Sequence, residues 1–195
     1  MTACVLNIYA HNDEKNQERV KTLEQREEDV DARQHDIADY LSRLMLKPLA
    51  PAESRQIPVL LHCTNDAEKI GDYAMELRDL MLKIQRDEVR FSESAEMELE
   101  ALRNRVDNLA ENALELLKEN SPARLQEAIG ANAEFMKKLD MAEQTHMARL
   151  CEGKCKPANG VLYLEMLEKI RKITHHLYNI VERAGQFYAK LPRVG

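Results

Sequence analysis

Hydrophobic residues recur every seven positions along most of the chain, and this spacing strongly limits what the chain can fold into. The clearest series are Leu23, Val30, Ile37 and Leu44, then Ile70, Leu77 and Ile84, and then Leu102, Leu109 and Leu116. A seven-residue repeat places these side chains on one stripe of an α-helix, and such stripes are buried against other helices. The sequence therefore predicts an all-α fold of packed helices.

Proline and serine residues divide this helical pattern into segments. Pro48 and Pro51 separate the first helix from the second, and Ser121 precedes a proline, which is typical of a helix N-terminus. Ser92 or Ser94 can cap another helix, and the glycine-rich stretch GKCKPANG forms a loop before the last one. We predict five long helices, over about residues 12–47, 51–88, 93–119, 122–152 and 157–191.

Composition excludes several classes of protein. The 195 residues carry a formal net charge of −6, so the chain lacks the basic surface that nucleic-acid binding requires. No apolar run approaches the ~20 residues that a membrane-spanning helix needs. Four cysteines, Cys4, Cys63, Cys151 and Cys155, are scattered without a secretory signal, which favours a reduced cytosolic protein. The Cys151/Cys155 pair lacks the further ligands of a structural zinc site.

Two pairs of acidic residues share the spacing that places them one turn apart on a helix. Glu68 and Asp72 lie away from the apolar stripe of the predicted second helix, and Glu27 and Asp31 repeat the spacing on the first. The pairs fit two interpretations. They can be solvated surface charges, or, if the two helices pack antiparallel, they can converge as a site for a hard cation.

The chain also shows a weak internal repeat. A shift of 103 residues aligns residues 60–79 with residues 163–182, pairing Lys69 with Lys172 and Ile70 with Ile173. Each of these segments follows a proline-containing loop. The order of matching features along the two halves indicates a duplicated helical unit.

The second predicted helix resembles a known family. HCTNDAEKIGDYAMEL is similar to the signature helix of PhoU-type proteins, in which N-D-x-E-R-I-G-D-x-A is typical, and REEDVDARQHDIADYL resembles the helix before it. HMARLCEGKCKPANGVLYLEMLEKIRKITHHLYNIVE resembles a second PhoU unit. Its pattern H-x-x-R-L-x-x-G-x-C-x-P is closest to the cytosolic C-terminal domain of bacterial Na+/phosphate cotransporters.

This resemblance implies two PhoU-like antiparallel three-helix bundles in tandem, over residues 1–90 and 91–195. The apolar, uncapped start at TACVLNIYA leads us to expect that the first bundle lacks most of its opening helix and that the chain is part of a longer protein. The implied function is non-enzymatic regulation of phosphate uptake at the cytoplasmic side of the inner membrane. The implied partner is the membrane domain of the transporter or another phosphate-signalling protein, and self-association as a homodimer stays open.

A free-standing PhoU regulator of an ABC phosphate transporter is the main alternative. A metalloenzyme built in a helical bundle is a more distant one, because it needs two inward-facing Glu-x2-His pairs. The sequence offers only Glu143 and His146 as a clear pair.

The family resemblance also assigns candidate metal ligands. Several PhoU-like proteins bind iron or zinc clusters through such acidic pairs. By position, an iron, zinc or other divalent cation would be held here by four carboxylates, those of Glu27, Asp31, Glu68 and Asp72. The second unit departs from the pattern, because Arg171 and His175 stand where the family has the Glu and Asp, and Lys137 lies near the position matching Asp31. We therefore expect at most one such site.

Overall fold

The computed structural model describes residues 14–119 and 121–189, which form five helices with no strand among them. These are α1 (Glu14–Leu44), α2 (Pro51–Arg86), α3 (Glu93–Lys118), α4 (Pro122–Cys151) and α5 (Pro157–Ala189). The all-α prediction is confirmed, and the observed helix ends lie within a few residues of the predicted ones. The parts of the prediction at residues 12–13 and 190–191 fall outside the described residues.

Local hydrogen bonds explain where several helices begin and end. Ser92 Oγ accepts from the Ala95 backbone N–H (3.4 Å) before α3, and Ser121 Oγ accepts from the Arg124 N–H (3.4 Å) before α4. These serines satisfy donors that the first turn of a helix leaves unpaired. Gly153 follows the end of α4 with φ of +68°, a conformation that glycine adopts without strain. It turns the chain away from the helix axis.

The helices α3, α4 and α5 pack on one another as a three-helix bundle. Helix α2 packs against α5, and α1 packs against α2. Side chains of Gln34 and Asn65 meet near one end of the α1–α2 pair, and Glu24 meets Arg78 near the other, so α1 and α2 are antiparallel. The predicted division at residue 90 falls in the loop between α2 and α3 and stays a prediction, since α2 and α5 pack against each other across it.

The hydrophobic core follows most of the seven-residue series. In α2 Leu77 and Ile84 are fully buried, and all three series members of α3 are buried as well. Full burial of such a side chain contributes about 2 kcal/mol. The series in α1 is buried only in part: Leu23 is inaccessible, whereas Ile37 is 41% exposed. The difference arises because, among the described helices, α1 contacts α2 alone.

The described helices also bear on membrane insertion. All five are amphipathic and carry charged residues along their length, and none of them is apolar enough over a sufficient length to cross a membrane.

Candidate functional site

Three carboxylates from two helices converge on the face between α1 and α2. Glu27 and Asp31 come from α1 and Asp72 comes from α2, and each offers an oxygen within 4.8 Å of the others. Antiparallel packing places these residues at the same level, and their i, i+4 spacing on α1 aims both side chains at α2. Glu27 and Asp72 are half-buried and Asp31 is exposed. We call these three residues the acidic cluster.

The electrostatics of the acidic cluster show that its charges are not fully neutralised. Partial burial, followed by the charges of Asp31 and Asp72, raises the pKa of Glu27. Arg78 acts in the opposite direction but does not compensate. Glu27 is thus repelled by the neighbouring acids, and the positive charge of Lys69, which pairs with Asp72, does not offset this repulsion.

The fourth predicted ligand, Glu68, is not brought into the acidic cluster. Its Oε1 accepts from Lys69 Nζ at 3.1 Å, and the same Nζ donates to Asp72 Oδ2 at 2.7 Å. These two hydrogen bonds raise the pKa of Lys69. Lys69 thus holds Glu68 on the surface of α2. Glu68 would have to break its hydrogen bond with Lys69 to reach an ion in the acidic cluster.

The donor set of the acidic cluster suits a hard divalent cation. Carboxylate oxygens from three residues, with solvent on the exposed side, match the oxygen-rich coordination that Mg²⁺, Mn²⁺ and Fe²⁺ accept. Zinc more often takes nitrogen or sulfur ligands, which the cluster lacks. A bound cation would also remove the repulsion that raises the pKa of Glu27.

The corresponding face of the second unit is built differently. Arg171 donates to Asp140 Oδ1 (2.8 Å) and to Glu143 Oε2 (2.9 Å), joining α5 to α4. His175 and Lys137 are exposed, and no ion pair links them to the described residues. The guanidinium therefore occupies the place between the acids that an ion would take.

Sequence reasoning missed a buried network around Asp66. The Asp66 side chain is only 8% exposed, and it forms an ion pair with Arg183. Its Oδ1 lies 2.8 Å from His176 Nδ1 and accepts from Asn179 Nδ2 at 3.0 Å. Burial, then the charge of Lys69, lowers the pKa of His176, so a neutral ring meets the carboxylate. This network ties α2 to α5.

The sequence did contain a signal for this network. Asp66 follows the buried Cys63 by three positions and precedes the partly buried Ile70 by four, so it lies on the apolar side of α2. A single acid on a buried stripe requires a partner. The partner residues lie over a hundred positions away on α5, and spacing alone does not identify them.

A second network that sequence reasoning missed joins the three helices of the second unit. Arg149 on α4 donates to both oxygens of Glu98 on α3, at 2.8 Å each, and Tyr163 on α5 donates to Glu98 Oε2 at 2.6 Å. Burial raises the pKa of Glu98, but the hydrogen bonds from Arg149 and Tyr163 outweigh it and the pKa is lowered overall. Glu143 and His146, the only candidate pair for a bundle metalloenzyme, lie in separate surroundings: Glu143 binds Arg171 and His146 packs against Tyr163.

The cysteines in the described part of the chain are free thiols. Cys63 is buried in α2, Cys151 is exposed at the end of α4, and Cys155 is partly buried in the following loop. None of these three joins a group of potential metal ligands among the described residues. Cys4 lies outside the described residues.

Comparison with known proteins identifies the first part of the chain. Residues 1–81 match the family model of the PhoU domain. The matched segment contains α1 and most of α2, and thus all three residues of the acidic cluster. No curated protein and no solved structure matches the chain significantly.

Proposed function

Because residues 1–81 are a PhoU domain, we propose that the chain is a regulatory domain that controls phosphate uptake and catalyses no reaction itself. The observation that carries this proposal is the family match, since the PhoU domain family is regulatory rather than enzymatic. The buried networks around Asp66 and Glu98 support it. Their polar groups are engaged in joining helices, as expected of a scaffold that transmits a state.

We further propose that the chain acts as the cytosolic tail of a sodium-dependent phosphate transporter. The support is the pattern H-x-x-R-L-x-x-G-x-C-x-P, which begins at His146 and resembles that transporter family. The tail would contact the membrane domain of the same protein at the cytoplasmic side of the inner membrane. A free-standing regulator of an ABC phosphate transporter is the competing assignment.

The acidic cluster gives this regulator a means of sensing. We propose that Glu27, Asp31 and Asp72 bind a divalent cation. Helix α2 carries Asp72 on the face toward α1 and Asp66 on the face toward α5. A change at the acidic cluster therefore acts on α2, the helix that connects the two units. Cation binding in the first unit would in this way alter the second.

Phosphate uptake in cells tests the regulatory role. The gene is deleted and replaced by the wild type, by Glu27→Gln/Asp72→Asn, or by Glu68→Gln, and uptake of radiolabelled phosphate is followed during starvation and after phosphate is restored. We expect the deletion and the double variant to lose the normal change in uptake rate, and Glu68→Gln to keep it. Uptake that responds normally in the deletion strain would contradict the proposed function.

The coding sequence upstream of Met1 separates the two kinds of regulator. A transporter tail requires an in-frame upstream segment that encodes several apolar spans of ~20 residues. An in-frame stop codon directly upstream would instead support the free-standing regulator.

A further inference from the structure

A cleft of about 450 Å³ opens in the second unit, where two interhelical loops meet. Its walls come from the α2–α3 loop, the α4–α5 loop, the first turns of α3 and α5, and His146 of α4. The volume lies within the range of small-molecule sites. The acidic cluster contributes no residue to it.

His146 is a buried polar side chain without a partner in this cleft. It is 2% exposed, and neither ring nitrogen forms a hydrogen bond of normal geometry with the described residues, although the nearby Gly160 backbone favours the protonated ring. The ring packs against Tyr163 with centroids 4.5 Å apart, and its Nε2 faces Gly160, where a Cβ would lie only 3.0 Å away. Burial, then the charge of Arg149, lowers the pKa of His146, which favours the neutral ring. Since buried polar groups are nearly always hydrogen-bonded, the ring points to a partner beyond the described residues.

Cationic side chains surround the same cleft. Arg90, Lys154 and Lys156 all line it. Lys154 pairs with Glu152 at 2.6 Å, whereas Arg90 and Lys156 form no ion pair with any residue in the described part of the chain. Two cations are thus available to a bound anion.

The N-terminus of α5 adds to this positive potential. Asn159 and Gly160, both in the first turn, line the cleft, and that turn contains no acidic residue. Backbone N–H groups in a first turn lack intrahelical acceptors and attract anions. Here those groups are the N–H of Ala158 and of Asn159, because Pro157 has no N–H and the Gly160 N–H donates to the Lys156 carbonyl at 3.0 Å. Asn159 Nδ2 donates to the Arg90 carbonyl at 3.1 Å, which fixes the start of α5 against the α2–α3 loop.

Two acids also line the cleft and oppose anion binding. Asp87 is paired with Arg86 at 2.9 Å, which reduces its effect. Glu88 is exposed and has no ion pair with the described residues. The opposing charge is therefore mainly that of Glu88, against two unpaired cations and a helix N-terminus.

We propose that this cleft binds a phosphate group, either free or carried by a small metabolite. Arg90 and Lys156 would supply charge, the first turn of α5 would supply backbone N–H groups, and His146 would supply a hydrogen bond at the buried end. The cleft is larger than one phosphate, and Val89, Phe91 and Ala95 offer an apolar wall for an attached organic group. The proposal is independent of the proposed function, because it uses none of the acidic-cluster residues.

Binding to the full chain tests the proposal with two probes, inorganic phosphate and AMP. We expect either probe to shift the backbone amide signals of Asn159 and Gly160 in a ¹⁵N-correlation spectrum, with a dissociation constant measured by calorimetry. Arg90→Ala/Lys156→Ala should weaken binding by about tenfold or more. Arg55→Ala/Lys137→Ala is the matched control, because it removes two exposed cations outside the cleft and should leave binding unchanged.

Two further variants separate binding from folding. His146→Leu removes the ring nitrogens from a buried site, and it should weaken binding while the thermal midpoint is maintained. Glu88→Gln removes the opposing charge and should strengthen binding several-fold. Tighter binding of AMP than of phosphate would assign the site to a phosphorylated metabolite, and equal binding would assign it to free phosphate. If neither probe binds, or if the cleft variants bind like the control pair, the proposal is overturned.

Discussion

The α1–α2 face and the α4–α5 face both gather acidic side chains, but the two faces neutralise these charges differently. On α4–α5, Arg171 lies between Asp140 and Glu143 and neutralises both. On α1–α2, three carboxylates meet, and partial burial together with the neighbouring acids raises the pKa of Glu27. Lys69 pairs with Asp72, but no ion pair within the described residues reaches Glu27 or Asp31. Under the 103-residue shift, Arg171 corresponds to Glu68 and His175 to Asp72, so the second unit replaces both acids of this helix pair. The second unit thus carries a cation between its acids, whereas the first leaves Glu27 and Asp31 suited to a cation from solution.

The largest loss of unfolding free energy is expected at Asp66, a buried carboxylate that is already paired with a cation. Asp66→Asn removes the charge that pairs with Arg183, leaving a guanidinium poorly matched in a buried network. We expect the free energy of unfolding to fall by about 3 kcal/mol, measured by urea denaturation. Asp79→Asn on the same helix is the control, because Asp79 is exposed and should cost less than about 0.5 kcal/mol. Equal effects of the two variants would show that burial of Asp66 does not matter.

A smaller loss of unfolding free energy is expected when Arg171, the cation of the second unit, is replaced. Arg171→Gln removes two partly exposed ion pairs and leaves Asp140 and Glu143 unbalanced. The unfolding free energy should fall by about 1 kcal/mol, and the loss should shrink in high salt because exposed charges are screened. The neighbouring Lys172→Gln breaks an i, i+4 pair with Glu168 and a 5.1 Å contact with the Tyr73 ring, leaves no pair of acids unbalanced, and should cost less. A loss for Arg171→Gln that is insensitive to salt would contradict an electrostatic role.

The glycine beside the acidic cluster provides a test of packing. Gly71 aligns with Thr174 under the same shift, and a Cβ at Gly71 would lie 3.8 Å from Val30 Cγ1, an ordinary contact. Gly71→Ala should therefore stabilise the chain by about 1 kcal/mol through helix propensity, as measured by urea denaturation. A destabilised variant would show that α1 and α2 approach more closely than this distance indicates.

The smallest expected change in unfolding free energy is a gain, opposite in sign to the loss expected for Asp66→Asn. With chelator present, Glu27→Gln should raise the unfolding free energy by up to about 0.5 kcal/mol, because it relieves repulsion. The pKa of Glu27 is raised from 4.5 in the folded chain, so the folded state holds this proton to higher pH than the unfolded state. The contribution of Glu27 to stability is therefore present at low pH and lost as the pH rises through its raised pKa.

The advantage of Glu27→Gln over the wild type should accordingly be largest at neutral pH and disappear by about pH 4. Denaturation curves at several pH values measure this. A constant difference across the range would show that charge repulsion is not its cause.

The helices could be predicted from the sequence because their signals are local. Proline positions and the serines before α3 and α4 set the helix ends within a few residues. The acidic cluster was predicted in part. The i, i+4 spacing identified Glu27, Asp31 and Asp72, but whether Glu68 joins them depends on the rotamer of the adjacent Lys69, which spacing does not show. The Asp66 network and the His146 cleft could not be predicted, because each joins distant parts of the chain: Asp66 is 117 positions from Arg183, and Arg90 is 66 positions from Lys156. Only the packed bundle brings them together.

Metal content is the most direct test of the claim that the first unit takes its cation from solution. The full chain, Glu27→Gln/Asp72→Asn and Glu68→Gln are each incubated with Mn²⁺ or Fe²⁺, desalted, and analysed by inductively coupled plasma mass spectrometry. We predict about one ion per chain for the wild type and for Glu68→Gln, and none for the double variant. Equal metal in all three proteins, or none in the wild type, would contradict the claim.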